Sequence, residues 1–315
     1  MKSFKATLLP ALVFALAGCG AGGEDPSDGP RVALVLKTLN NPYFIQMEAG
    51  AREAAERLGV QLLVQAAERE LDVEKQMQIV ENLIQTRIDA LLVTPSGSRE
   101  ILPAIAKANQ AGIPVVIVDT RIDEAAAEEE HRIVTFIGSD NYEGGRIAGR
   151  FVVEKLDGRA TVGILEGIPG HETADSRLRG FQDAVRGAEE VRIAASQPAN
   201  WERDQGYNVF QNMLQAHPDI DTLFACSDQM ALGALEAIAA AGRTNQIRVI
   251  GFDALEEARQ AVLEGRMLAT VAQFPSEMGR HAVESAVRFL NGEEVPDFIP
   301  VRIELITREN LQAQE

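Results

Sequence analysis

The stretch AIAKANQAGIPVVIVD, residues 104–119, holds a complete folding unit. Alanine-rich text with helical spacing runs into Gly112, a residue suited to closing a helix in the left-handed conformation. Pro114 opens the next segment, and VVIV is β-branched with no polar alternation, the mark of a strand buried on both faces. Asp119 ends the run. A helix delivering the chain into a doubly buried strand is half of a βαβ crossover, and crossovers of this kind build parallel sheets with helices on both faces.

The same unit repeats in both directions. Strands are expected at 31–36, 60–65, 89–93, 114–118, 133–138, 160–166, 190–196, 221–226, 247–251 and 268–272. Helices are expected near 42–57, 72–86, 98–111, 142–156, 173–187, 203–216, 228–241, 254–263 and 275–290. Ten strands exceed the needs of one small sheet, and 315 residues with 46% apolar content are enough for two cores. The expected fold is therefore α/β, with two doubly wound parallel-sheet lobes. The break is expected near IGSDN, residues 137–141, where a strand ends in Gly, Ser, Asp and Asn.

The opening of the chain reads differently. MKSFK is basic, and the apolar stretch after it is too short to span a bilayer comfortably. LAGC, residues 16–19, resembles the lipobox of bacterial lipoproteins, in which the cysteine is lipidated and becomes the mature N terminus. Residues 1–18 are thus expected to be a lipoprotein signal peptide, Cys19 the lipidation site, and residues 19–30 a flexible tether. GCGAGG at 18–23 matches a phosphate-binding glycine pattern, but without a strand before it or a helix after it. The formal charge is −17, and setting aside Lys2 and Lys5 of the leader leaves −19, which argues against a nucleic-acid partner. The other cysteine, Cys226, lies in an apolar run and reads as a small buried hydrophobe.

Ligands of open parallel sheets bind beyond the carboxyl ends of the strands, where loops converge. The residues there are Lys37, Asn41, Tyr43 and Phe44 after the first strand, Thr94 after the third, and Asp119 and Thr120 after the fourth. Ser227 and Asp228 follow the eighth, Asp253 the ninth and Gln273 the tenth, while Arg177 and the only tryptophan, Trp201, lie past others. Carboxylates, amides, hydroxyls and cations beside flat aromatic faces suit a sugar, whose hydroxyls want charge-assisted hydrogen bonds and whose C–H faces want an aromatic wall. Each residue also has a structural reading. Asp228 is expected to cap its helix; Asp253 suits a cap or a ligand contact equally, and Tyr43 and Phe44 suit core or cleft. Catalytic patterns are poor. The four histidines show no metal-ligand spacing, and neither a nucleophile elbow nor a phosphate-cradling loop appears. No cofactor and no metal are expected, and the pattern is that of a binder rather than an enzyme.

LVLKTLNNPYF, IPVVIVD, IGSDNYEGG, LEGIPG, RLRGF, ASQPANWERDQG, NVFQNMLQAHPDIDTLFACSDQMALGALEAI, VIGFDA and ATVAQFP together resemble the periplasmic ribose-binding proteins, the sugar-binding components of ABC importers, from residue 31 to 307. The resemblance implies the type 1 periplasmic binding protein fold, with lobes joined by three crossovers near residues 139, 273 and 302. The first lobe would comprise 31–139 plus 274–302, and the second 140–273 plus 303–315. It implies a hinge-closing cleft whose ligand shell falls on Asn41, Tyr43, Phe44, Asp119, Arg177, Trp201, Asp253 and Gln273, with Trp201 where ribose binders usually have Phe. Thr94 and Ser227 replace asparagines, and Thr120 replaces an arginine. Lys37 stands where some pentose and hexose binders carry a ligand-contacting lysine. The implied ligand is a small sugar, a pentose such as ribose or a related monosaccharide or polyol.

The implied partner is a membrane permease, and the protein is expected to act as a monomer on the periplasmic or cell-surface side, tethered by its lipid. An effector domain of a transcriptional repressor shares the fold but would need a DNA-binding helix pair where this chain has an export signal. A receptor module reporting a sugar to a membrane sensor is the alternative that stays open.

Overall fold

The computed structural model describes residues 29–313. The first sheet begins with β1 (Arg31–Thr38), β2 (Gln61–Ala67), β3 (Ala90–Val93), β4 (Val115–Val118) and β5 (Thr135–Gly138). Between them run α1 (Pro42–Leu58), α2 (Val73–Ile84) and α3 (Leu102–Gln110). The chain then leaves this sheet. It forms α4 (Asn141–Lys155), β6 (Arg159–Glu166), α5 (Glu172–Val185), β7 (Glu190–Pro198), α6 (Arg203–Ala216) and β8 (Thr222–Ala225). It continues through α7 (Asp228–Ala240), β9 (Arg248–Asp253), α8 (Glu256–Glu264) and β10 (Ala269–Ala272). It returns as α9 (Pro275–Leu290) and β11 (Phe298–Pro300), and crosses once more into β12 (Glu304–Thr307) and α10 (Arg308–Gln312).

The strand orders are β11-β5-β4-β3-β1-β2 and β12-β10-β9-β8-β6-β7. All neighbours are parallel except β12, which pairs antiparallel with β10. The central strands are buried on both faces, as Val32 to Leu36 and Ala90 to Val93 show by having no exposed surface. This is why they read as continuous apolar runs rather than as alternating ones. The chain passes between the two halves three times, at residues 139–140, 273–274 and 301–303.

Expectation and structure differ at the edges. Twelve strands form among the described residues, not ten. The added β11 and β12 have three and four residues, mostly part-exposed, with Pro300 at the end of one. Their stability comes from pairing with β5 and β10, which local text does not announce. Helix α3 starts at Leu102 rather than near 98, because Pro103 is tolerated only in a first turn.

Helices pair closely where glycines meet backbone. A Cβ on Gly180 of α5 would lie 2.0 Å from Tyr142 O of α4, and one on Gly50 of α1 would lie 2.0 Å from Ser276 O of α9. The second contact holds α9 against α1, on the first sheet. Among the described residues no helix is long and apolar enough to cross a membrane.

Candidate functional site

Both sheets present the carboxyl ends of their strands to the space between the lobes, and a small cavity lies there. From the first lobe it is lined by Lys37, Asn41, Tyr43, Phe44, Glu70 and Asp119; from the second come Thr173, Arg177, Trp201, Ser227 and Asp253, with Gln273 from a crossover.

The β1–α1 turn is built for this position. Asn41 caps α1, its Oδ1 accepting from Tyr43 N at 3.0 Å, and Pro42 occupies the first turn. Tyr43 and Phe44 follow at once, 4% and 2% exposed, their rings edge-to-face with centroids 5.2 Å apart. The Tyr43 hydroxyl donates to Asp119 Oδ1 at 2.8 Å. Burial, and then Asp119, push the phenol well above its ordinary pKa, so it stays a donor. Asp119 Oδ2 accepts from Thr120 Oγ1 at 2.9 Å and from Lys37 Nζ at 3.4 Å, and Lys37 also donates to Thr120 Oγ1 at 2.8 Å.

The second lobe mirrors this chemistry. Arg177 Nη1 lies 3.4 Å from Asp253 Oδ1, and Gln273 Nε2 donates to the same oxygen at 2.8 Å. Arg177 is fixed from behind by Asn141 Oδ1 and the Cys226 carbonyl, and its guanidinium lies over Phe252 and Trp201. Burial raises the Asp253 carboxyl to about 6 against the pull of Arg177. Gly167 makes room for the indole of Trp201, since a Cβ there would fall 1.9 Å from Cζ2. The Trp201 Nε1 donor is buried and has no acceptor among the described residues.

Three of these residues hold left-handed backbone without being glycine: Asp119 (φ 69°), Trp201 (φ 68°) and Asp253 (φ 117°). Such conformations cost about 1–3 kcal/mol each and persist where surrounding structure imposes them, commonly at functional sites.

The lobes touch across the mouth of the cavity. Thr173 Oγ1 donates to Thr120 Oγ1 at 3.3 Å, Glu172 N to Ser98 Oγ at 3.5 Å, and Arg69 Nε lies 3.4 Å from Glu202 Oε1. The structure is thus in a shut form.

Some expected residues stand elsewhere. Thr94 is off the wall, accepting from Lys37 N and donating to Val35 O, so that it ties β3 to β1. Thr120 stands behind Asp119. Asp228 is not the cap that was expected: Ser227 caps α7, and the buried Asp228 carboxylate instead accepts from Leu255 N and Thr270 Oγ1, both at 2.8 Å. Asp253 is no cap either, since Leu255 holds that position for α8. Two wall residues were not anticipated, Thr173 and Glu70. Glu70 lies three residues past β2, in a charged loop. Cys19, the leader and most of the tether lie outside the described residues.

The set is suited to holding hydroxyls. Lys37, Arg177 and Gln273 donate, the carboxylates and the Tyr43 hydroxyl oxygen accept, and aromatic rings bound the space. Cys226 is buried with its thiol pushed up to about 12, which leaves it no nucleophilic role. No group of His, Cys, Asp and Glu fit to hold a metal ion occurs among the described residues.

The periplasmic binding protein domain matches residues 32–294. The ribose import binding protein of Escherichia coli is 38% identical over 301 residues, 96% of this chain and 98% of the relative. A D-ribose/D-allose-binding protein of Pseudomonas aeruginosa is 36% identical, over 88% of this chain and 89% of its own. Among solved structures, an ABC transporter periplasmic solute binding protein of Actinobacillus succinogenes with bound D-allose aligns with a TM-score of 0.85 and 37% identity, covering 90% of this chain and all of that one.

Proposed function

The chain belongs to the periplasmic binding protein family, as a non-enzymatic sugar-binding component of an ABC importer, and on that premise we propose how it selects and holds its ligand. The ligand is one small neutral monosaccharide or polyol of pentose to hexose size, in the range of the ribose and allose handled by its relatives. Asp119 and Asp253, one from each lobe, accept from its hydroxyls. Arg177, Gln273, Lys37 and Asn41 donate, with Ser227 beside them, and Tyr43, Phe44 and Trp201 flank the ring. Only the shut form brings both lobes to the ligand, so binding shifts the population toward closure. The closed face then docks on the membrane permease.

One observation carries this reading: two carboxylates from different sheets, each buried and each partnered by a cation, line the same closed cavity. Titration calorimetry with pentoses, hexoses and polyols tests it. Asp119→Asn and Asp253→Asn should each weaken the best ligand at least tenfold, and unchanged affinity in both would sink the assignment.

We also propose that Cys19 carries the lipid that tethers a monomeric protein outside the cytoplasm, on the strength of LAGC and the basic, apolar leader before it. Cys19→Ser should move the protein from the membrane to the soluble fraction. The sensor-linked alternative has no observation in its favour, because the named relatives are importer components.

A further inference from the structure

Glu70 enters the cavity wall from the loop after β2 and is only 7% exposed. Its Oε1 accepts from Asn41 Nδ2 at 2.9 Å. Its Oε2 lies 4.0 Å from Lys37 Nζ, beyond hydrogen-bond reach, and no donor among the described residues is bonded to it. Lys37 directs two of its three donors to Thr120 and Asp119. The free oxygen of a largely buried carboxylate and an ammonium therefore stand at the edge of one cavity, close enough to attract and too far apart to bond. A buried charge left incomplete in this way is unfavourable unless a further polar group satisfies it.

We infer that Glu70 and Lys37 form a reading corner for one carbohydrate hydroxyl, which lodges between Oε2 and Nζ, donating to the first and accepting from the second. A hydroxyl oxygen about 2.8 Å from each partner spans this gap with the two contacts near a right angle, an ordinary arrangement for an alcohol. The inference rests on the sugar-binding reading and deepens it. The ligand must carry a hydroxyl on the β1–β2 side of its ring, besides those taken by Asp119 and Asp253.

The charge of the wall narrows the class further. Glu70, Asp119 and Asp253 face Lys37 and Arg177, one more acid than base. That balance disfavours sugar phosphates and sugar acids and suits neutral sugars. Burial pushes the Glu70 carboxyl up to about 7, while Lys37 and Asn41 pull it down. A hydroxyl donor at Oε2 acts in the same direction as those two partners.

A simpler role exists for Glu70, as a brace for the capping residue Asn41. The substitution Glu70→Gln separates the two roles. The amide oxygen still accepts from Asn41 and the shape is kept, but the charge and the second acceptor are lost.

The test is calorimetry on the full protein and on Glu70→Gln, with D-ribose, D-allose and the monodeoxy forms of each. The variant should lose at least tenfold in affinity for the better parent sugar. One deoxy sugar, weak on the unaltered protein, should lose less than twofold further, because the hydroxyl that Glu70 reads is already gone; the other deoxy sugars should lose the full factor. Lys37→Met should single out the same deoxy position, which guards against a Glu70 variant that folds poorly. Affinities within twofold of the unaltered protein, or one common factor for every analogue, would overturn the inference while leaving the sugar-binding reading intact. An unaltered protein that binds neither parent sugar nor any other pentose, hexose or polyol overturns the inference together with that reading.

Discussion

Asp119, Trp201 and Asp253 hold a backbone conformation that seldom suits a side chain, and each lies at or just past the end of a strand with its side chain in the cavity wall. At Trp201 the arrangement depends on a neighbour, Gly167, which leaves the space the indole fills. Gly167→Ala should displace the ring and lower sugar affinity at least tenfold by calorimetry. Glu70 makes a second residue-level prediction. Its carboxyl titrates near 7 in the folded protein against an ordinary 4.5, so the folded state binds the proton more tightly than the unfolded one. The burial penalty is then fully present above pH 7 and relieved as pH falls toward 4.5. Glu70→Gln should stabilise the sugar-free protein by about 1–3 kcal/mol at pH 8 and by almost nothing at pH 4.5, read from urea denaturation midpoints. Most of the wall was legible because parallel strands deliver their following residues to one end of a sheet. Glu70 was not, because an acid in the charged loop EREL becomes a buried wall group only when Lys37 of β1 and Asn41 of the β1–α1 turn close over it, a tertiary event that local text does not encode.

Helix pairs set the walls at the next scale. Arg177 sits on α5, and α5 lies against α4 with Gly180 beneath the Tyr142 carbonyl. Gly180→Ala should cost about 1–3 kcal/mol in chemical denaturation, since an added methyl in a packed interface must move backbone. It should also weaken sugar binding, because the helix carrying Arg177 shifts with it. The β-branched runs and the Gly or Pro breaks around them identified the long helices and the central strands. The short pairings at the sheet edges escaped because FIP and ELIT are too brief to carry a period, and they become strands only by lying against β5 and β10.

For the molecule as a whole, the contacts across the cavity mouth decide how tightly it shuts. Arg69 and Glu202 form the charged one, with Arg69 well exposed, so the pair is worth at most about 1 kcal/mol. Arg69→Ala should weaken sugar affinity by no more than about fivefold, and the effect should shrink at high salt. Small-angle scattering should show a smaller radius of gyration with saturating sugar than without it, and an unchanged radius would contradict closure by bending between the lobes. The order of elements along the chain has another consequence. The first sheet acquires its last strand, β11, only at residues 298–300, and α9, which packs on α1, comes at 275–290. A chain emerging N terminus first from a ribosome or a secretion pore therefore has no finished first half until nearly all of it is free. This delay keeps the polypeptide threadable for longest, and makes its maturation an event that comes after translocation rather than one that accompanies it.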